Sequence, residues 1–482
     1  MLSSLSSIVL AVVSSAILSR YMVKSEYGTY KLIIYVYSSL VVIFSAGLPS
    51  IFSFFLPKIS LAKGKDLVDR ITWLFIGLGA IFSIFLFFFS QYIAQFMGNP
   101  EMDEGLCWFS IIPILLLPTL GLDGIFTSYQ QTHLMPIYNT INRVIMLACI
   151  VLPVIYIDNS ALMAIKGWIA ASLVSFILAL VFKAIPFRGI TKVNSNIKIK
   201  ELFAYSLPLV TASVWGMLIR YSDQFYISKY FGPEVYAEFS NGFIEIPIVS
   251  IVTGSVSIVL MPYLSKLAVD QSNTREIIDI YRRTMVKSAY IIYPVIVYFI
   301  IYGREIMTFV FSKNYEASGI YFKINMIQSF FNIVMFMPIL LAFGKTKFYS
   351  NMHLVFALIS WISGFILVSI FNSPIAIAIN SISMTIFLVI IMTSYIRSLL
   401  KVGILELVPI KLIITILLHS IFVALLTIII CKYLLVFTSI ILNLALSAIL
   451  YTIILLLSAN FINLKYVDLL KPIISRVVKK YS

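Results

Sequence analysis

Of 482 residues, 61% are hydrophobic and 11% charged, and the mean hydropathy is +1.02. A soluble domain carries about 25% charge, so a water-wetted globule of this size is excluded and lipid must be the missing solvent. The net charge of +15 is therefore tested against the positive-inside rule of membrane proteins before any nucleic-acid reading, which it does not require.

Crossing a bilayer as a helix takes roughly 20 apolar residues. The first apolar run, 3–19, begins almost at Met1. It has the length of a signal peptide but no basic start and no small-residue cleavage site, so it reads as a retained first span. Further runs follow at 29–57, 71–92, 107–127, 137–157, 161–182, 203–228, 238–263, 286–303, 318–343, 351–371, 375–396, 412–431 and 434–459. The expected fold class is all-α: a polytopic membrane protein of about 14 transmembrane helices. Pro49, Pro113, Pro118, Pro208 and Pro247 fall inside or at the edge of runs. Neighbouring groups in a bundle can satisfy the carbonyls that such breaks release.

The connections alternate in charge. The segment from Lys58 to Arg70 holds four basic residues, whereas the next connection holds Glu101, Asp103 and Glu104 and no base. The linker 183–202 carries Lys183, Arg188, Lys192, Lys198 and Lys200. The connection near 264–287 carries Lys266, Arg275, Arg282, Arg283 and Lys287. The tail 460–482 is again basic and part apolar, either an interfacial amphipathic helix or a solvated end. Placing these basic segments inside puts about 25 of the 35 Lys and Arg in the cytoplasm. Both termini are then cytoplasmic, and the span count is even, fourteen or twelve.

Two segments look alike. Ser19–Tyr30 reads SRYMVKSEYGTY, and Ser228–Phe239 reads SKYFGPEVYAEF. Without a gap, Ser19, Arg20, Tyr21 and Tyr27 fall on Ser228, Lys229, Tyr230 and Tyr236, an offset of 209 residues. Each follows a helix, the first and the seventh. Six helices apart is an even number, so both copies face the same way, as in transporters whose halves are related by an axis along the membrane normal. The expected architecture is an N-lobe of six helices (1–182), the basic linker (183–202), a C-lobe of six helices (203–396), a central cavity, and two appended helices (397–459).

These segments also carry a family resemblance. Ser19–Tyr30 resembles the R-x-L-G-x-x-x-Y-G-x-Y loop of polysaccharide exporters, and YSLPL at Tyr205–Leu209 resembles their YGLPL. Ser222–Ser240 resembles their D-x-F-x-L-x-x-x-x-G-x-x-x-V-G-x-Y-S stretch, and Phe309–Gly319 their L-x-F-G-x-x-Y-x-x-A loop. The chain departs from these patterns at Val23 and Ala237, where the family has glycine. Over residues 1 to about 400 the order and spacing are those of Wzx-type oligosaccharide flippases of the MOP superfamily, relatives of the MATE exporters and MurJ-type lipid II flippases. The resemblance implies movement of an undecaprenyl-pyrophosphate-linked oligosaccharide across the bacterial inner membrane by alternating access. The glycan would serve O-antigen, capsule or a related surface polymer, and other glycan-assembly proteins are implied partners.

Charges within spans are costly, about 3 kcal/mol each on insertion scales, which marks them as candidates. Arg220 and Asp223 lie three apart on one helix face, either a cationic cavity site or a structural pair. Glu245, two turns into the eighth run, either balances a base or carries a coupling proton. Lys31 starts the second helix and can snorkel. Arg143 faces the inner cavity mouth or the headgroups, and Arg20 matches the arginine of the family loop. Guanidinium suits a pyrophosphate because its fork pairs two oxygens at once.

No covalent chemistry is expected. Cys107, Cys149 and Cys431 lie in or beside apolar runs, and His133, His353 and His419 are scattered, so no metal or cofactor site is expected. Coupling to H+ or Na+ stays open. The rival on the same fold is a MATE-like cation-coupled exporter. A glycosyltransferase or polymerase would need a large external loop or an acidic pair, and neither is present in the sequence.

Overall fold

The computed structural model describes residues 2–268, 274–434 and 439–466. The rest of the expected basic tail, 467–482, lies outside the described residues. The first half of the chain forms α1 (Leu2–Tyr21), α2 (Lys24–Phe44), α3 (Pro49–Phe55), α4 (Leu61–Phe96), α5 (Met102–Phe109), α6 (Ile112–Leu116), α7 (Leu122–Ser128), α8 (Leu134–Tyr156), α9 (Ala161–Ala184) and α10 (Ile199–Gly242). The second half forms α11 (Pro247–Ala268), α12 (Thr274–Ile301), α13 (Gly303–Phe311), α14 (Ser318–Ser329), α15 (Phe336–Ala342), α16 (Thr346–Phe371), α17 (Pro374–Leu400), α18 (Ile404–Leu407), α19 (Ile410–Leu434) and α20 (Ile440–Ala459).

Among the described residues, 11 helical stretches are long and apolar enough to span a membrane, or up to 12 if the bent pair in α10–α11 counts as one. They match eleven of the fourteen apolar runs. The remaining runs fall on α1, whose qualifying stretch is the shorter Leu10–Tyr21, and on the two parts of the bent pair. Prolines mark the starts of helices. Pro49, Pro113 and Pro247 each stand at the first or second position of α3, α6 or α11, where a missing N–H is harmless. Pro208 runs on within α10.

One expected loop is helix. The charge of Lys58–Arg70 predicts a connection, but α4 begins at Leu61 and runs 36 residues. Ser60 takes an extended conformation ahead of it, and Asp66 and Arg70 sit at i,i+4 near its start. The run 107–127 is broken instead, into α5, α6 and α7.

By contacts the chain forms two units, Met1–Ser240 with His353–Ile377, and Asn241–Met352 with Ala378–Ser482. The lobes expected from the repeat divide within 183–202, whereas the contacts keep α10 with the first half. Two local causes are visible. The linker is clamped onto α4, as described below. Three hydrogen bonds also staple α10 to α16. Ser222 and Ser360 share a hydroxyl bond of 2.7 Å, the Tyr226 hydroxyl donates to the Trp361 carbonyl at 2.7 Å, and the Trp361 indole donates to the Leu218 carbonyl at 3.0 Å. Within the first unit α1 packs on α8, α8 on α9, and α4 on α5 and α6. Within the second, α12 packs on α19, α11 on α15, and α19 on α20.

Candidate functional site: where the two look-alike segments meet

The two repeated segments touch each other. α10 is not one continuous helix. At Gly232 the backbone adopts φ 83° and ψ 176°, a conformation that side chains disfavour, and Pro233 restarts the helix with its preset φ. The turn presents the Pro233 carbonyl to Gly28. A Cβ built on Gly28 would lie 2.0 Å from that oxygen, so only glycine fits there. Four residues before Gly28, the Lys24 ammonium pairs with Glu238 at 2.6 Å, with side chains 26% and 17% exposed. The Ser228 hydroxyl adds a bond to the Met97 carbonyl at 3.1 Å.

The start of α2 is fixed residue by residue. The Glu26 carboxylate accepts from the Ala161 N–H at 2.7 Å, placing negative charge at the N-terminus of α9. Asn99 donates to the buried Thr29 hydroxyl at 2.8 Å, and the Trp168 indole donates to the Tyr30 hydroxyl at 2.8 Å. One turn further, Tyr35 donates to the Tyr221 carbonyl at 3.0 Å and meets the Tyr221 ring edge-on, with centroids 5.2 Å apart. The Tyr236 hydroxyl donates to Gln224 at 2.9 Å, and its ring lies 6.2 Å from that of Tyr35. The family departures are accommodated here. Val23 caps α2 in an extended conformation that needs no glycine, and Ala237 is fully buried in helix.

The candidate charges occupy different settings. Asp223 is 5% exposed, beside the tyrosines, and its Oδ1 accepts from the Gln224 N–H at 2.7 Å. Arg220, three residues earlier, is exposed, as are Arg20 at the end of α1 and Arg143 on α8. Lys31 is half-buried and donates to the Ser15 hydroxyl at 2.9 Å, so it ties α2 to α1. Glu245 is exposed in the break between α10 and α11 and belongs to the second unit.

Three features escaped the sequence reading. Lys24 and Glu238 carried opposite charge in the two repeated segments, which was a usable signal. Lys183 looked like a loop base, yet it is 4% exposed. Its ammonium donates to the Pro118 carbonyl at 2.7 Å and the Thr72 hydroxyl at 3.3 Å, between the rings of Phe52 and Phe75. It thereby satisfies a carbonyl in the proline break between α6 and α7.

The third is a clamp on the linker. Asp66 accepts from the Ser195 N–H at 3.0 Å and its hydroxyl at 2.8 Å. Arg70 donates to the Ile197 carbonyl at 2.9 Å, and Lys65 to the Ile190 carbonyl at 2.9 Å. Val193 N–H donates to the Ala62 carbonyl at 3.2 Å. Lys192 pairs with Asp69 at 3.1 Å and Asp66 at 3.5 Å. The bond to Asp69, then the charges of both aspartates, hold the Lys192 ammonium above its ordinary pKa.

The second unit holds a cavity of about 440 Å³ lined by Tyr302, Glu305, Cys431, Lys432, Asn443 and Ser447 among others. Among the described residues no group of three or more His, Cys, Asp or Glu is placed to hold a metal ion.

No curated protein matches the sequence. Among solved structures the chain is similar to the lipid II flippase MurJ in an inward closed conformation, with a TM-score of 0.71 at 16% identity over 97% of this chain and 98% of that one. It is also similar to an inward-facing multidrug resistance MATE transporter of the MOP superfamily (TM-score 0.63, 12% identity, 82% and 94% covered). A third likeness is to the Vibrio cholerae MATE transporter VcmN in the bent form (TM-score 0.56, 13% identity, 83% and 95% covered). At these identities the likeness establishes the fold: an all-α, multi-pass membrane fold shared with MurJ and MATE proteins. The profile of the family described as "Polysaccharide biosynthesis protein" matches residues 17–319, a stretch that includes both repeated segments, the linker clamp and all six candidate charges. The chain therefore belongs to the polysaccharide biosynthesis protein family, and its fold is like that of the MurJ flippase and the MATE transporters.

Proposed function

We propose that the protein flips an undecaprenyl-pyrophosphate-linked oligosaccharide from the cytoplasmic to the periplasmic face of the bacterial inner membrane by alternating access. The single observation that carries this reading is the family match over residues 17–319. The fold likeness to a lipid II flippase supports it. The excess of basic residues in alternate connections supports cytoplasmic termini, and fourteen spans remain the proposed count. The proposed contacts for the pyrophosphate are two exposed arginines: Arg20 at the end of α1, and Arg220, one residue before the tyrosine that meets Tyr35. Arg143, Lys31, Asp223 and Glu245 complete the proposed set.

Deletion of the gene followed by glycan analysis tests the reading. Lipid-linked repeat units should accumulate on the cytoplasmic face and disappear on complementation. Unchanged surface glycan with no such accumulation refutes it. Within that assay Arg220→Lys, which keeps charge but loses the fork, should export less than wild type, and Arg220→Ala less again. Full export by Arg220→Ala at normal membrane abundance removes Arg220 from the site.

A further inference from the structure

The cavity of the second unit is lined by none of the candidate charges. Its walls are the last residue of α12, the start of α13, the last turns of α19 and the first two turns of α20. α20 packs on both α13 and α19, and all four helices belong to one unit. Its volume of about 440 Å³ falls within the roughly 300–1,000 Å³ usual for small-molecule sites.

The inner and outer parts of this cavity differ. Ser447 is buried, and its hydroxyl shares a 2.9 Å bond with the Tyr298 hydroxyl, which also donates to the Leu444 carbonyl at 2.9 Å. The polar groups at that depth are satisfied. Ile301, Ile428, Ile440 and Leu444 supply much of the remaining wall. Glu305 and Lys432 are exposed and stand at the outer part. They line the same cavity, yet among the described residues neither joins an ion pair. The base next to Glu305 in the chain, Arg304, is taken by Glu316. A simple anion in this cavity would be repelled by Glu305, and a simple cation by Lys432. A ligand that carries both charges meets a partner at each.

The setting adds an apolar requirement. α19 and α20 are long and apolar enough to span a membrane, and the cavity lies at the ends that face each other across their connection. Ile429, Ile441 and Leu442, each next to a lining residue in the chain, are exposed on those helices. A zwitterionic head in the cavity can therefore continue into hydrocarbon along the helices. An ethanolamine phospholipid has these parts: a phosphate for Lys432, a primary ammonium whose N–H groups donate to the Glu305 carboxylate, and acyl chains. The trimethylated ammonium of a choline lipid has no N–H to donate.

We propose that the cavity between α13, α19 and α20 binds the headgroup of an ethanolamine phospholipid, with its phosphate on Lys432 and its ammonium on Glu305. The site stands whether or not the cargo proposed above is correct.

Cys431 lies half-buried in the cavity wall and serves as the reporter, in a Cys107→Ser/Cys149→Ser background. The protein is reconstituted in bilayers of phosphatidylethanolamine with a fixed fraction of phosphatidylglycerol. In matched bilayers of the same net charge, phosphatidylcholine replaces the phosphatidylethanolamine. Alkylation of Cys431 by N-ethylmaleimide should be several-fold slower with the ethanolamine lipid. Glu305→Gln should bring both bilayers to the faster rate, and Lys432→Gln should do the same. Equal rates in the two bilayers before these substitutions overturn the site. A difference that survives both substitutions is a property of the bilayer and overturns it too. Should the serine background fail to reconstitute, native mass spectrometry of the unaltered chain decides. Ethanolamine lipid should be retained in preference to choline lipid, and Glu305→Gln should erase that preference. Equal retention of the two lipids overturns the proposal.

Discussion

The repeat-segment junction and the linker clamp lie at opposite ends of the span Lys24–Lys58, and they hold chain to chain by different means. The junction uses one half-buried ion pair, one close backbone approach, and hydrogen bonds from the Tyr35 and Ser228 hydroxyls to the Tyr221 and Met97 carbonyls. The clamp uses four hydrogen bonds to linker backbone groups from Asp66, Arg70, Lys65 and Ala62, besides the Lys192 pairs. Parting the clamp would strand several polar groups at once, each costing about 1–3 kcal/mol if it stays buried. Parting the junction would strand the buried Ser228 hydroxyl and the Tyr35 hydroxyl besides separating the pair. The clamp relies on hydrogen bonds to linker backbone, whereas the junction adds shape, at Gly28, to its bonds. The clamp therefore fixes where α10 begins, and the junction fixes how the later part of α10 meets α2.

The largest effect that would sharpen this contrast is at Gly28. Gly28→Val places two methyl groups against the Pro233 carbonyl, where even a Cβ would sit at 2.0 Å. The neighbour is backbone and cannot swing aside. Overpacking of this sort costs about 1–3 kcal/mol. Glycan export should fall strongly while the amount of protein in the membrane stays near normal. Equal losses of protein and export would make the junction a folding contact like the clamp and erase the distinction.

How much of this was legible follows from the range of the interactions. Spans were readable because the roughly 20-residue apolar requirement is local. Breaks at Pro49, Pro113 and Pro247 were readable because proline acts on its own turn, but that each opens a new helix shows only in the structure. The helical start of α4 was hidden because charge alone made Lys58–Arg70 look like loop, whereas Asp66 and Arg70 point their charges at the linker, more than a hundred residues away. Lys183 was hidden for the same reason: its value lies in a carbonyl at Pro118 that sequence shows as released but cannot connect to a donor. The repeat itself was visible, yet alignment pairs each residue with its equivalent. Contact pairs it with a different position, so Gly28 and Pro233 were each seen and never joined.

A middle-sized effect is expected at Asp66. Asp66→Ala removes the acceptor of two Ser195 bonds, one from backbone, in a buried setting. The Ser195 N–H is then left short of a partner, and the loss should be about 1–3 kcal/mol of stability. Purified protein should melt at a lower temperature and accumulate less in the membrane. Export per molecule of folded protein should stay close to wild type, the reverse of Gly28→Val. Export lost out of proportion to abundance would mean that the linker moves during the cycle.

The smallest effect is at Lys192, and it separates the parts of the clamp. Its ammonium pairs with Asp69 at 3.1 Å, but the two side chains are 47% and 45% exposed. Water screens such a pair, and exposed pairs contribute about 0–1 kcal/mol. Its second partner, Asp66, already accepts two bonds from Ser195 and keeps a neighbouring base in Arg70 at 3.8 Å. Lys192→Ala should therefore leave melting temperature, abundance and export within the error of wild type, and raising the salt concentration should not change that result. The Asp66 variant, by contrast, should remain destabilised at any salt concentration, because the bonds it loses are buried. A Lys192→Ala protein as unstable as Asp66→Ala would show that charge, and not backbone hydrogen bonding, closes the clamp. The chemical difference drawn between the two ends of the span would then fall, since both would be held by ion pairs.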